Sequence, residues 1–160
     1  MRYRGFWIVH GDIRRARPAT IVERATGWYL DVAFVGAEKN DGSKVERYGI
    51  SPKGIAFFDA VGRYIITVMR TDRAKYASNM LWQGTPEENK ETADGTIGYF
   101  GTYSISEAES SMALHVEGSS FPNWNGTDQK RFVAIAGEQL TLTVRPPAGD
   151  VVDVIWKRAN

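Results

Sequence analysis

Residues 96–131 read TIGYFGTYSISEAESSMALHVEGSSFPNWNGTDQKR. Ile97, Tyr99, Tyr103 and Ile105 recur with a period of two around Gly101, so one face of an extended segment is apolar and aromatic. Glu107–Ser110 is a polar turn. Ser111–Ser119 alternates again, with Met112, Leu114 and Val116 set against His115, Glu117 and Ser119. Phe121–Gly126 reads as a loop, and Gln129–Ile135 as a further strand. Strands joined this tightly are antiparallel neighbours in a meander.

The period of two continues on both sides. Upstream, Trp28, Leu30, Val32 and Phe34 alternate with Tyr29, Asp31 and Ala33. Asn40-Asp41-Gly42 is a turn signal, and short strands follow at Lys44–Gly49, Gly54–Phe58 and Arg63–Arg70. Downstream, Gly137-Glu138 turns into a strand with Leu140, Leu142 and Val144 inward. The run 146–149, Pro-Pro-Ala-Gly, breaks the chain before Val151–Lys157, where Val152, Val154 and Trp156 share a face. About nine strands result. An antiparallel sheet of that size leaves edges exposed unless it closes on itself. The expected fold is all-β: a closed antiparallel up-and-down barrel of about eight to ten strands.

Thr71–Gly95 interrupts the pattern. Thr85-Pro86-Glu87-Glu88 is a helix start, with Thr85 as cap, Pro86 in the first turn and Glu88 completing a capping box. Asp94-Gly95 ends it, so a single short helix lies near one barrel end. Met80, Leu81 and Trp82 either reach the mouth as a lid or plug one end of the core.

Composition excludes several function classes. The 160 residues fit one domain with a substantial core. With no cysteine there is no disulfide, thiol catalysis or thiolate metal site. The two His are far apart in sequence and give no metal-ligand spacing, so no metal is expected. No apolar run is long enough for a membrane span. Residues 1–26 carry six Arg against Asp12 and Glu23, a net of +4, so 27–160 carry −3 of the total +1. The barrel thus lacks the basic stripe that nucleic acid requires. Within the arm, Gly5–Val9 is too short for a signal peptide, and His10 reads as a surface residue. The arm reads as a strand or loop on the outside of the domain. Neither a nucleotide-binding glycine loop nor a Gly-x-Ser-x-Gly elbow occurs. Asn125-Gly126-Thr127 marks a turn, and a cytoplasmic placement is expected.

From Gly27 onward the chain resembles the bacterial and fungal lipocalin-like domain family, within the calycin group. The resemblance rests on Gly27-Trp28, on 59–64 (Asp-Ala-Val-Gly-Arg-Tyr), on 69–73 (Met-Arg-Thr-Asp-Arg) and on 84–88 (Gly-Thr-Pro-Glu-Glu). It continues through 99–103 (Tyr-Phe-Gly-Thr-Tyr), 115–119 (His-Val-Glu-Gly-Ser), 121–124 (Phe-Pro-Asn-Trp), 126–129 (Gly-Thr-Asp-Gln), Arg131 and 156–158 (Trp-Lys-Arg). It divides the chain into an extension, 1–26, and a barrel domain, 27–160. It implies a calyx for a small, largely apolar molecule, with no cofactor and no single activity. Relatives that stand among secondary-metabolite enzymes add isomerisation or cyclisation as a second implication.

Two readings of the polar residues stay open. In the first, His115 and Glu117 face the lumen beside Gln129 and Arg131, a set suited to proton transfer next to a carbonyl. In the second, parity puts Met112, Leu114 and Val116 inside, leaving His115, Glu117 and Ser119 in solvent with Arg131–Glu117 an ordinary ion pair. A bulge at Gly118 would flip the parity partway. The function expected is binding of a small hydrophobic metabolite, with Trp28, Tyr64, Tyr99, Tyr103, Asn123, Gln129 and Arg131 as ligand contacts. The alternative is a cofactor-independent isomerase or cyclase using His115 and Glu117. The partner is a small molecule in either case, and a homodimer is compatible with the sequence.

Overall fold

A computed structural model of the chain describes residues 20–39, 41–147 and 150–159. Residues 1–19, Asn40, the pair 148–149 and Asn160 lie outside the described residues, and with them the expectations for Gly5–Val9 and His10. The alternating segments form nine strands: β1 (Tyr29–Glu38), β2 (Lys44–Glu46), β3 (Lys53–Phe58), β4 (Arg63–Met69), β5 (Thr96–Ser106), β6 (Ser111–Ser119), β7 (Asp128–Ala136), β8 (Gln139–Val144) and β9 (Val151–Arg158). Two helices, α1 (Ile21–Ala25) and α2 (Pro86–Asp94), and a 3-10 turn (Pro122–Trp124) complete the described elements.

Every strand pairs antiparallel, in the order β1-β3-β4-β5-β6-β7-β8-β9, and β9 returns to β1 from Leu30↔Arg158 to Glu38↔Val151. That return closes an eight-stranded barrel and removes the edges an open sheet would expose. β2 lies outside the ring order, beside the far half of β1. β1 therefore changes partner along one side, from β3 at Tyr29–Asp31 to β2 at Gly36–Glu38. β2 ends at Glu46 rather than Gly49. The chain from Arg47 to Pro52 has left the ladder, tied back by Arg47 N–H to the Val35 carbonyl at 3.1 Å.

A bulge between Val32 and Phe34 in the β1–β9 pairing shifts the parity of β1. Leu30 is buried as expected, but beyond the bulge Val35 and Ala37 take the inner positions and Phe34 does not. One extra residue is enough, because side chains alternate with a period of two.

One end of the barrel is filled. Leu30, Ala56, Phe58, Tyr64, Met112, Leu114 and Leu140 pack there. α1 lies against this end with Ala25 buried and Ile21 on the core, anchored by Ile21 N–H to Glu107 Oε2 at 3.1 Å. Thus the last residues of the N-terminal extension pack on the barrel.

α2 begins as the sequence dictates. Thr85 Oγ1 accepts from Glu88 N–H, Glu88 Oε2 accepts from Thr85 N–H, and Pro86 stands in the first turn. No residue of α2 is buried, and Met80, Leu81 and Trp82 are exposed. The segment is neither lid nor plug here: Met80, Leu81 and Trp82 line neither the core nor the cavity, and α2 itself is polar throughout and gains nothing from entering the core. Glu88 also accepts from Ala77 N–H at 2.9 Å, and these backbone donors hold its carboxyl below the usual range. A depressed carboxyl stabilises only while ionised, so the cap should be complete above the ordinary carboxylate pKa and fail as pH falls through the lowered one. Protection factors of the Ala77 and Thr85 amides, corrected for the intrinsic pH dependence of exchange, should fall over that acid range, and Glu88→Gln should abolish that fall.

Candidate functional site

Beyond the filled end the interior opens into a cavity of about 630 Å³. Its apolar wall comes from alternating inward positions: Val35 on β1, Ile66 and Val68 on β4, Ile97 and Tyr99 on β5, and Val152, Val154 and Trp156 on β9. Tyr48, from the chain between β2 and β3, and Trp124, from the 3-10 turn, also line the cavity. Trp124 is held edge-on to Tyr99 (centroids 5.2 Å) and to Phe121 (5.8 Å). Thr127 Oγ1 donates to the Trp124 carbonyl at 2.7 Å and fixes the turn.

The polar groups come mainly from β7. Gln129, Arg131, Val133 and Ile135 share its inner face, and Arg131 is only 7% exposed. Its Nη1 donates to the Lys130 carbonyl at 3.1 Å, and its Nη2 to Gln129 Oε1. Burial pushes the Tyr99 phenol up, with Arg131 beside it pulling the other way. Burial also raises Tyr48, reinforced by Tyr99. Both phenols are therefore neutral at physiological pH, available as hydrogen-bond donors or acceptors. Arg47 and Arg145 also line the cavity. Arg47 Nη2 lies 3.1 Å from Asp150 Oδ2, and the Arg145 guanidinium stands over the Phe132 ring at 5.0 Å.

Of the residues expected to contact a ligand, Tyr99, Gln129 and Arg131 line this cavity together, whereas Trp28, Tyr64, Tyr103 and Asn123 do not. Tyr64 and Tyr103 belong to the filled end, packed on Phe58 at 6.1 and 5.4 Å. Tyr103 Oη donates to the Asp59 carbonyl at 2.5 Å. Trp28 lies under the Arg158 guanidinium, 4.8 Å from its ring centroid. Asn123 is exposed on the same turn that turns Trp124 inward. Sequence reasoning placed Val144, Val152, Val154 and Trp156 inward but did not connect them with a site. Tyr48 and Trp124 carry no periodic signal, because neither is on a strand.

The expectation that His115 and Glu117 share the lumen with these groups is corrected. Met112, Leu114 and Val116 are fully buried, and His115 and Glu117 stand on the outer surface. His115 Nδ1 meets Asp128 Oδ1 at 2.8 Å, and Glu117 Oε2 pairs with Arg63 Nη2 at 2.9 Å, so the partner of Glu117 is Arg63 and not Arg131. The bulge considered at Gly118 does occur. Phe100 pairs with Gly118 and Gly101 with Val116, leaving Glu117 as the extra residue. Parity flips only beyond it, which is too late to bring either side chain inside. Because the His115–Asp128 pair is exposed, His115→Ala should change stability by less than about 0.5 kcal/mol and leave ligand binding untouched. Thermal unfolding and a binding titration check this together.

The lipocalin-like domain family matches residues 27–158. The 4'-hydroxy-3'-methoxypropiophenone carrier protein of Aspergillus oryzae is 35% identical over 86 residues, covering 49% of this chain and 78% of that one. A redesigned β-barrel of known structure superposes with a TM-score of 0.43 at 10% identity, over 87% of this chain and 95% of that one.

Proposed function

Because the chain belongs to the lipocalin-like domain family, we propose that it carries a small, largely apolar, aromatic molecule in the barrel cavity. The observation that carries this reading is the cavity itself. It is about 630 Å³, walled by aliphatic and aromatic side chains, with Gln129 and Arg131 of β7 and the Tyr99 phenol among its few polar groups. That volume is in the range of sites for small organic ligands, and a polar cluster in an apolar wall sets orientation and specificity. The relative from Aspergillus oryzae is named for carrying an aryl ketone that bears a phenolic hydroxyl. That supports both a carrier role and an aromatic cargo. Trp124 and Tyr99, set edge-on to one another, offer ring faces and edges to such a guest.

The test is to fill the space. Val154→Trp puts an indole into the cavity from the β9 wall. Binding of N-phenyl-1-naphthylamine, an uncharged fluorescent aromatic, should weaken by about tenfold or more, a loss of about 1.4 kcal/mol. The melting temperature should stay within a few degrees, since the indole occupies space that is already empty. Unchanged dye affinity in a folded Val154→Trp variant would remove the cavity as the binding site.

A further inference from the structure

We propose that the molecule carried is an acid, bound as its anion with a carboxylate, phenolate or enolate oxygen on Arg131. This deepens the carrier reading and rests on it. Arg131 is 7% exposed, and among the described residues no carboxylate lies within ion-pair distance of it. The acids on and around this wall are engaged elsewhere. Glu117 faces Arg63, Asp128 faces His115, Glu109 faces Lys130, and Asp150 faces Arg47. The described partners of the guanidinium are neutral: the Lys130 carbonyl, the Gln129 amide oxygen and the Tyr99 phenol.

A buried charge without a counter-charge is costly, and proteins normally pair it. The cavity lining repeats the imbalance. Arg131 and Arg145 line it with no carboxylate partner among the described residues, Arg47 is paired with Asp150, the Lys130 ammonium turns outward to Glu109, and no Asp or Glu lines it. A guanidinium has five N–H donors, and Gln129, Lys130 and Tyr99 account for at most three of them. The remaining donors and the uncompensated charge define what the site lacks: an anionic oxygen acceptor, for which a planar guanidinium is the suited receptor. The apolar body of the guest then lies along Val68, Val154 and Trp156, with Trp124 beside it.

Two dyes that differ by one sulfonate test this on the full chain: 1-anilinonaphthalene-8-sulfonate and N-phenyl-1-naphthylamine. The sulfonate stands in for the anionic oxygen of the natural guest. The wild-type protein should bind the sulfonate at least about tenfold more tightly than the uncharged dye. Arg131→Met should remove that preference and change the affinity for the uncharged dye by less than about threefold, a difference of under 1 kcal/mol. Arg131→Lys should retain part of it. The melting temperature of Arg131→Met should hold or rise, because a buried unpaired charge has been removed. A structural role would lower it instead. Equal loss of both dyes on Arg131→Met, or no loss of either, overturns the anion assignment and leaves the cavity reading standing. Sulfonate binding that survives Val154→Trp overturns it as well, since the anion then sits outside the cavity. If neither dye binds the wild-type protein, the carrier reading fails and this inference fails with it.

Discussion

Gly101→Ala should destabilise the barrel by roughly 3 kcal/mol or more, one of the largest costs of a single methyl group in this chain. A Cβ at Gly101 would stand 1.9 Å from the His115 carbonyl oxygen and 2.9 Å from the Glu117 nitrogen, and both are backbone atoms. No rotamer change relieves such a clash, so β5 and β6 must separate at the bulge where they meet most closely. Three residues earlier on the same strand, a Cβ at Gly98 meets only Thr67 side-chain atoms, the nearest at 3.6 Å. Gly98→Ala should therefore be neutral or stabilising by a few tenths of a kcal/mol, since it restricts the unfolded chain without native strain. For a chain of this size the Gly101 variant should melt about 6–12 °C lower. Equal melting temperatures for the two variants would contradict the strand spacing at the bulge.

Trp156 offers the second large effect, and it separates two contributions that usually travel together. The side chain is 1% exposed, packed where β9 pairs with Val32 of β1 and Leu140 of β8. Trp156→Ala should cost about 3–5 kcal/mol, because the vacated space adjoins the cavity and the rigid wall cannot collapse into it. Its indole Nε1 is buried and has no hydrogen-bond partner among the described residues. Leaving such a donor unsatisfied costs on the order of 1–3 kcal/mol. Trp156→Phe removes that donor while keeping most of the apolar bulk, so its cost should be about 1 kcal/mol or less. Urea unfolding of the pair resolves this. Near-equal destabilisation by Phe and Ala would mean that the indole donor is satisfied in solution.

The fold was legible because strand-forming periodicity is local. Leu140, Leu142 and Val144, or Met112, Leu114 and Val116, announce a buried face within six residues, and the turns between them announce antiparallel order. Closure followed from the same information, because an open sheet of this length would leave edges unpaired. Bulges escaped the pattern. The shift at Val32/Phe34 exchanges Phe34 for Val35, and nothing in the apolar content of that stretch favours one over the other. The site was half legible for a related reason. Gln129 and Arg131 alternate with Val133 and Ile135, so their inward direction follows from strand parity. Tyr48 and Trp124 come from connections, where direction is set by tertiary contacts that a linear pattern does not encode. His115 and Glu117 kept a functional reading because the family resemblance centres on that polar row, although the strand's own apolar row pointed them outside.

The departure of Arg47–Pro52 from the ladder has a kinetic meaning. Elsewhere the vessel is hooped by continuous rungs, and passing a guest through it would require unzipping neighbouring strands. Here a stave is missing: Tyr48 closes the gap from a stretch that, among the described residues, is fastened by the Arg47 amide to the Val35 carbonyl, by the Arg47–Asp150 ion pair and by the Thr71 hydroxyl to the Ser51 carbonyl. Swinging that stretch aside would break those fastenings but no rung of the closed ring, so a guest of the proposed kind would enter on this side at the least cost in strand pairing.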